Sequence, residues 1–351
     1  MYINDALTVI CMMLERAKNG ERTTAIHLKS GPGIGKSSIM KQAALRMAAQ
    51  WKVPVACKMF FLTTVEQPDI RGYGLPSADG KSMGFTTPPW AIKDDDPRYG
   101  ILGLDEFSQA SDDVKKPAAE LVLNGQVGDY QLPSGYIRVL ASNRLSDRSG
   151  VGREMAFLQN RYMEIVVQPN LDAWVMWAEQ NNIHPMAIAF AKYRPGQVFA
   201  DTIPEKPGPF CTPRSLVEAA QYIGKVDNSL FTEMAAGMIG EGTTAEFVAF
   251  LKIEQELPTY AEIVKDPKHA KLPDRPDASY AAMQLVAHHV DPNTVQEAFQ
   301  YLSRLGKEFQ TAGLKAVIRR VPQITRTPEF AKWASANKEL IFAASAAKAG
   351  R

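Results

Sequence analysis

Residues 30–38 of the 351-residue chain read SGPGIGKSS, and the residue types and spacing in this stretch suit one task, holding a run of phosphates. Gly31, Gly33 and Gly35 give a backbone that takes positive φ and lets an anion approach its amides with no Cβ in the way. Lys36 follows with an ammonium for the β- and γ-phosphates, and Ser37 with a hydroxyl for magnesium. The pattern G-x-x-x-x-G-K-[ST] has a glycine where Ser30 stands. That position precedes the tight part of the loop, so the replacement is expected to be tolerated. Taken alone, the string could also be a flexible turn.

In GILGLDEFSQ an apolar run ends directly at Asp105 and Glu106. A carboxylate at the C-terminal end of a central parallel strand lies on the same sheet edge as a phosphate loop. Asp105 is expected to orient magnesium through water, and Glu106 to polarise the attacking water. A capping pair at a strand-to-helix turn is the plainer alternative. Asn143, closing VLASN, could hold the same water from the other side or simply form a turn. Arg161, in QNRYMEIVV, could make an ordinary ion pair or project to the γ-phosphate of a neighbouring subunit. In CTPRSLVEAA, Thr212 reads as an N-cap, Pro213 as the first helical residue and Arg214 as the next. A cation in the first turn opposes the helix dipole, so Arg214 either has a phosphate partner or lies exposed with its stem packed.

The elements that must position these residues follow from periodicity. Asn4 is expected to cap a first helix carrying Leu7, Ile10, Leu14 and Ala17, with Gly20 as its stop. Strands are expected at 23–29, 55–62, 100–104, 136–142 and 162–167, with helical patterns between most of them, which argues for a parallel sheet covered on both faces. Strand, glycine loop and helix occur in that order around Lys36, so the unpaired amides of the helix would point at the anion. Turn residues at 72–90 and 125–136 predict two hairpins. Pro117 should kink its helix or shift the start, because it removes a backbone donor. Beyond Pro169 the pattern is helical to about 348, interrupted by long connections at 194–212 and 257–277.

Composition limits the classes available. A net charge of +2 argues against a protein whose main task is coating nucleic acid, although it leaves room for a local basic patch. No apolar run approaches a membrane span, and MYINDALTVI lacks the pattern of a secretory signal, so no membrane partner and a cytoplasmic setting are expected. Cys11, Cys57 and Cys211 are widely spaced and read as reduced, small hydrophobes. Trp174 and Trp177 read as core, and the adjacent His288 and His289 make a poor metal pair. Arg304, Lys307, Lys315, Arg319, Arg320 and Arg326 form a basic run that reads as a solvated helix surface, with nucleic acid or an acidic partner as the lesser alternative.

These motifs occur in the order and approximate spacing of AAA+ ATPases, which the chain resembles over about residues 1–225. TTVEQPDIRGYGLP, DEFSQASDDVKKPAAELVLNGQVGDYQLPSGYIRVLASN and LQNRYMEIVVQPNLDAWVMWA resemble the MoxR-like branch. The resemblance implies an α/β fold with a five-stranded parallel sheet of order 5-1-4-3-2 over 1–170, a helical lid over 171–275 and a helical extension over 276–351. It implies ATP and Mg2+ as cofactors, held by Gly31, Pro32, Gly33, Ile34, Gly35, Lys36, Ser37, Ser38 and Arg214, with Ser37 and Asp105 serving the metal. It further implies Glu106, Asn143 and Arg161 as catalytic residues, Arg161 acting across a subunit interface. Hexamers, and protein clients with von Willebrand factor A-type partners, are what the branch implies. A nucleic-acid loader and an ATP-gated scaffold with little turnover are the rival readings.

Overall fold

The computed structural model describes residues 1–147, 161–200 and 202–338. The strands among the described residues are β1 (Ala25–Ser30), β2 (Val55–Phe61), β3 (Gly74–Pro76), β4 (Met83–Phe85), β5 (Tyr99–Asp105), β6 (Gln126–Val127), β7 (Tyr130–Gln131), β8 (Tyr136–Asn143) and β9 (Tyr162–Val166). Five of them pair into one parallel sheet of order β2-β5-β8-β1-β9. Counted within that sheet and from its other edge, this is 5-1-4-3-2, the expected order. The remaining strands make two antiparallel hairpins, β3–β4 and β6–β7, at the two stretches where turn residues predict them.

Helices α1 (Ile3–Lys18), α2 (Lys36–Trp51), α3 (Gln67–Arg71) and α4 (Asp112–Asn124) accompany the sheet. The sheet has a core on each face. Ile10, Leu14, Ile39 and Met40 bury against Ile26, Leu28 and Val139 on one side. Val114, Ala118 and Leu121 bury against Leu102, Leu104 and Leu140 on the other. Strands buried on both faces read as continuous apolar runs, which is why they stand out in the sequence.

Two local expectations are corrected. Asn4 does not cap α1: the helix starts at Ile3, with Tyr2 as its cap residue. Tyr2 forms a parallel bridge with Gln168, and the terminal ammonium donates to the Val166 carbonyl at 2.9 Å, so tertiary pairing sets the helix start ahead of local capping chemistry. The stretch 257–277, expected as a plain connection, contains a short helix capped by Thr259, whose side chain accepts from the Glu262 amide. Pro117 sits inside α4, which still begins at Asp112.

The chain divides into two units, one centred on Met1–Asn170 and the other on Leu171–Ala200 and the chain from Pro204. The second is helical: α5 (Leu171–Gln180), α6 (Pro185–Tyr193), α7 (Pro195–Val198), α8 (Pro213–Ala220), α9 (Asn228–Ile239), α10 (Glu241–Lys252), α11 (Tyr260–Lys265), α12 (Pro276–His289), α13 (Val295–Leu302), α14 (Lys307–Arg320) and α15 (Pro328–Ala336). Residues 185–191 of α6 are buried throughout, and α12 packs against both α6 and α14. A buried polar network ties four of these helices together. Lys192 Nζ donates to Gln284 Oε1 at 2.6 Å, and Arg319 Nε donates to Glu179 Oε2 at 2.9 Å. Burial pulls the Lys192 pKa down to about 8. No described helix is long and apolar enough to cross a membrane.

Candidate functional site

Parallel pairing decides where the strand ends lie. Phe61 registers with Asp105, Leu104 with Leu140, and Ser30 with Asn143, so the ends of β1, β2, β5 and β8 share one sheet edge. The glycine loop leaves that edge directly after Ser30. Gly33 and Gly35 take φ of 71° and 100°, the left-handed region that glycine enters at no steric cost. Gly35 is the cap residue of α2, whose first turn carries no acidic residue and receives no side-chain capping bond. Its amides and dipole therefore favour an anion in front of the loop. Ile34 packs into the core beneath, which anchors the loop from below.

Ser30 explains its own presence. It is the last residue of a strand, so it needs no positive φ, and its buried hydroxyl accepts from Lys36 Nζ at 3.1 Å. Lys36 is also buried and donates to the carbonyls of Ser30 and Gly31 at 3.1 and 3.0 Å. Its fourth acceptor is Asn143 Oδ1 at 2.9 Å. In the first turn of α2, Ser37 Oγ donates to Asp105 Oδ2 at 2.6 Å, the short distance of a hydroxyl–carboxylate bond. A hydroxyl and a carboxylate side by side form the all-oxygen donor set that suits magnesium.

Glu106 follows in the left-handed region at φ 58°, an uncommon conformation for a side chain of this kind. It turns the chain off the strand, and Thr63 Oγ1 donates to its Oε2. The structure therefore brings Lys36, Ser37, Asp105, Glu106 and Asn143 to one edge.

Three residues that the sequence motifs leave out belong to this edge. Thr63 lies just past the end of β2 and holds Glu106. Arg144 Nη2 lies 3.5 Å from where a Cβ on Gly31 would stand, so its guanidinium packs on the glycine loop. Asp147, buried, holds that guanidinium at 3.0 Å and also accepts from the Arg144 amide at 2.8 Å. The pairing of an arginine and an aspartate three apart in NRLSD is the one trace of this in the sequence.

Arg161 lies elsewhere. It precedes Tyr162, which registers with Ala25 at the start of β1, so it stands exposed at the opposite sheet edge from Ser30 and Asn143. It is not part of this chain's own cradle. Arg214 is an exposed residue of α8 in the helical unit, behind the predicted cap. Thr212 and Ser215 form a reciprocal capping box there, at 3.1 and 2.9 Å, with Pro213 as the first helical residue. Much of the basic run at 304–326 is engaged internally. Arg319 pairs with Glu179, Arg320 reaches the Glu179 carbonyl at 3.5 Å, and Arg304 donates to the carbonyls of Pro267 and Ala270.

No protein-family model and no curated protein matches the chain. Among solved structures, a point mutant of Thermotoga maritima RuvB aligns over 91% of this chain and 85% of its own, at 13% identity and a TM-score of 0.40. A second point mutant of the same protein aligns over 94% and 91%, at 14% identity and a TM-score of 0.40. A further structure, of the Thermotoga maritima RuvB Holliday junction branch migration motor, aligns over 91% and 84%, at 13% identity and a TM-score of 0.39. A likeness of this size carries no activity or ligand across, and the site's own geometry has to do that.

Proposed function

We propose that the chain is a Mg2+-dependent ATPase. The observation that carries this reading is the convergence of Lys36, Ser37, Asp105, Glu106 and Asn143 on the edge from which the glycine loop departs. The amides of Gly31–Ser38 and the Lys36 ammonium bind the phosphates, and Asn143 fixes the position of that ammonium. Ser37 and Asp105 hold the metal, which when bound neutralises phosphate charge. Glu106 accepts the proton of the attacking water. Arg161 completes the site of an adjoining copy, a role that fits its place at the far edge of the sheet. The assignment of Arg214 to the γ-phosphate rests on the TPRS motif alone.

On the resemblance to the MoxR-like branch, the protein works as a cytoplasmic ring, with a lid over 171–275 and an extension over 276–351. It remodels or assembles protein partners through the hairpins at 72–90 and 125–136. The ion pair of Arg319 with Glu179 weighs against the nucleic-acid loader, because that charge already has a partner. The bond from Thr63 to Glu106 favours slow basal turnover, as an ATP-gated scaffold would show.

Two variants test the reading. Lys36→Ala abolishes ATP binding, measured calorimetrically, whereas Glu106→Gln binds ATP normally and releases no phosphate. Unchanged ATP affinity in Lys36→Ala removes the site assignment.

A further inference from the structure

A cavity of about 510 Å3 opens at the sheet edge opposite Ser30 and Asn143, where β1, β8 and β9 begin. Three arginines line it: Arg22 from the turn after α1, Arg138 from β8, and Arg161 ahead of β9. Arg138 is fixed in place. Its Nη1 donates to the Val122 carbonyl at 3.0 Å, and its Nη2 to the Thr23 carbonyl at 2.8 Å. Those carbonyls orient the guanidinium but bring no negative charge, and its Nε is buried without an acceptor among the described residues. Arg22 and Arg161 are exposed, and neither side chain has an acidic partner among the described residues. The single acid among the described residues of the lining, Glu21, is paired with Arg16 at 3.2 Å.

Three guanidinium groups around one concavity repel one another, so local stability does not account for them. Their planar forks match phosphate oxygens, and the volume falls within the roughly 300–1,000 Å3 typical of small-ligand sites, more than a lone phosphate needs. We propose that this cavity is a second phosphoanion site, separate from the loop at 31–38, in which Arg22 and Arg161 grip a phosphate group and Arg138 backs them. The anion is a free polyphosphate-bearing ligand, a reading that does not rest on the ATPase assignment; the nucleotide of a second copy, the place proposed above for Arg161, is the alternative that the test has to exclude.

Pyrophosphate binding to the full chain, followed by calorimetry, tests the site. With the first cradle disabled by Lys36→Ala, pyrophosphate is expected to bind still. Adding Arg22→Ala, and separately Arg161→Ala, should weaken that residual binding by about tenfold each, the loss of one charge-assisted pair. Both positions are exposed, and unchanged circular dichroism melting confirms the fold. Loss of all pyrophosphate binding in Lys36→Ala alone, or residual binding indifferent to Arg22, overturns the proposal. Neither result depends on whether ATP is hydrolysed at the first cradle. In Glu106→Gln saturated with ATP, pyrophosphate binding that persists at high protein concentration supports the free ligand, and binding that fades as copies associate overturns it in favour of the adjoining copy's nucleotide.

Discussion

The Lys36 ammonium and the Asn143 carboxamide, 107 residues apart in the chain, meet at 2.9 Å. The contact joins the first residue of α2 to the last residue of β8, so the cation of the phosphate loop is aimed from a neighbouring strand. Lys36 keeps three further acceptors in Ser30 and Gly31 without it. Asn143→Ala should therefore leave ATP affinity within about threefold and lower turnover by about tenfold or more, a loss confined to positioning. Steady-state kinetics beside calorimetric affinity decide it: a fall in affinity equal to the fall in turnover would make Asn143 a plain binding residue.

Thr63 engages one oxygen of Glu106, and that oxygen must give up the hydroxyl before it can take a proton from water. Thr63→Val removes the donor while keeping the branched shape. The expected result is a several-fold higher basal turnover at unchanged KM for ATP, read from phosphate release. Equal or lower turnover shows instead that Thr63 aims Glu106 at its water.

The sheet was legible because its central strands are apolar runs buried on both faces, and the phosphate loop because glycine enters φ of 71° and 100° without the steric cost other residues meet there. Asp105 and Asn143 were legible as polar residues that abruptly end such runs. Thr63 was not, since a threonine after a strand is ordinary and its meaning comes from Glu106, 43 residues away. The pairing of Arg319 with Glu179 across 140 residues is likewise a product of helix packing, which is why the basic run at 304–326 read as solvated surface. Asn4 failed as a cap because Tyr2 is held by Gln168, a tertiary bridge that outweighs the ~1 kcal/mol of a cap.

Gly72 is the hinge of the first hairpin. It takes φ 90°, and a Cβ there would stand 1.9 Å from the Thr86 carbonyl oxygen. The same Thr86 closes the hairpin: its amide donates to the Tyr73 carbonyl at 2.9 Å, and its hydroxyl accepts from the Tyr73 amide at 2.8 Å. Gly72→Ala should detach β3–β4 while the parallel sheet stays folded, since strain at such a residue is of order 1–3 kcal/mol before the clash is added. Amide exchange should accelerate at least ~100-fold over 73–86 with the sheet amides unchanged. Uniform acceleration across the sheet would show that the hairpin is part of the global fold.

His288, half-buried in α12, has its pKa lowered to about 4 by burial and then by the charges of Arg320, His289 and His184. An unfolded chain gives the same group a pKa of about 6.5. Between these two values the unfolded chain takes up a proton that the folded chain refuses. The stability this histidine contributes at neutral pH is therefore lost as the pH falls from about 7 toward 4. His288→Leu removes the titration and keeps an apolar filling. Its urea midpoint should fall less steeply between pH 7 and pH 4.5 than that of the unmodified chain. Parallel profiles for the two chains would mean that the ring reaches water in the folded state and that burial does not control its charge.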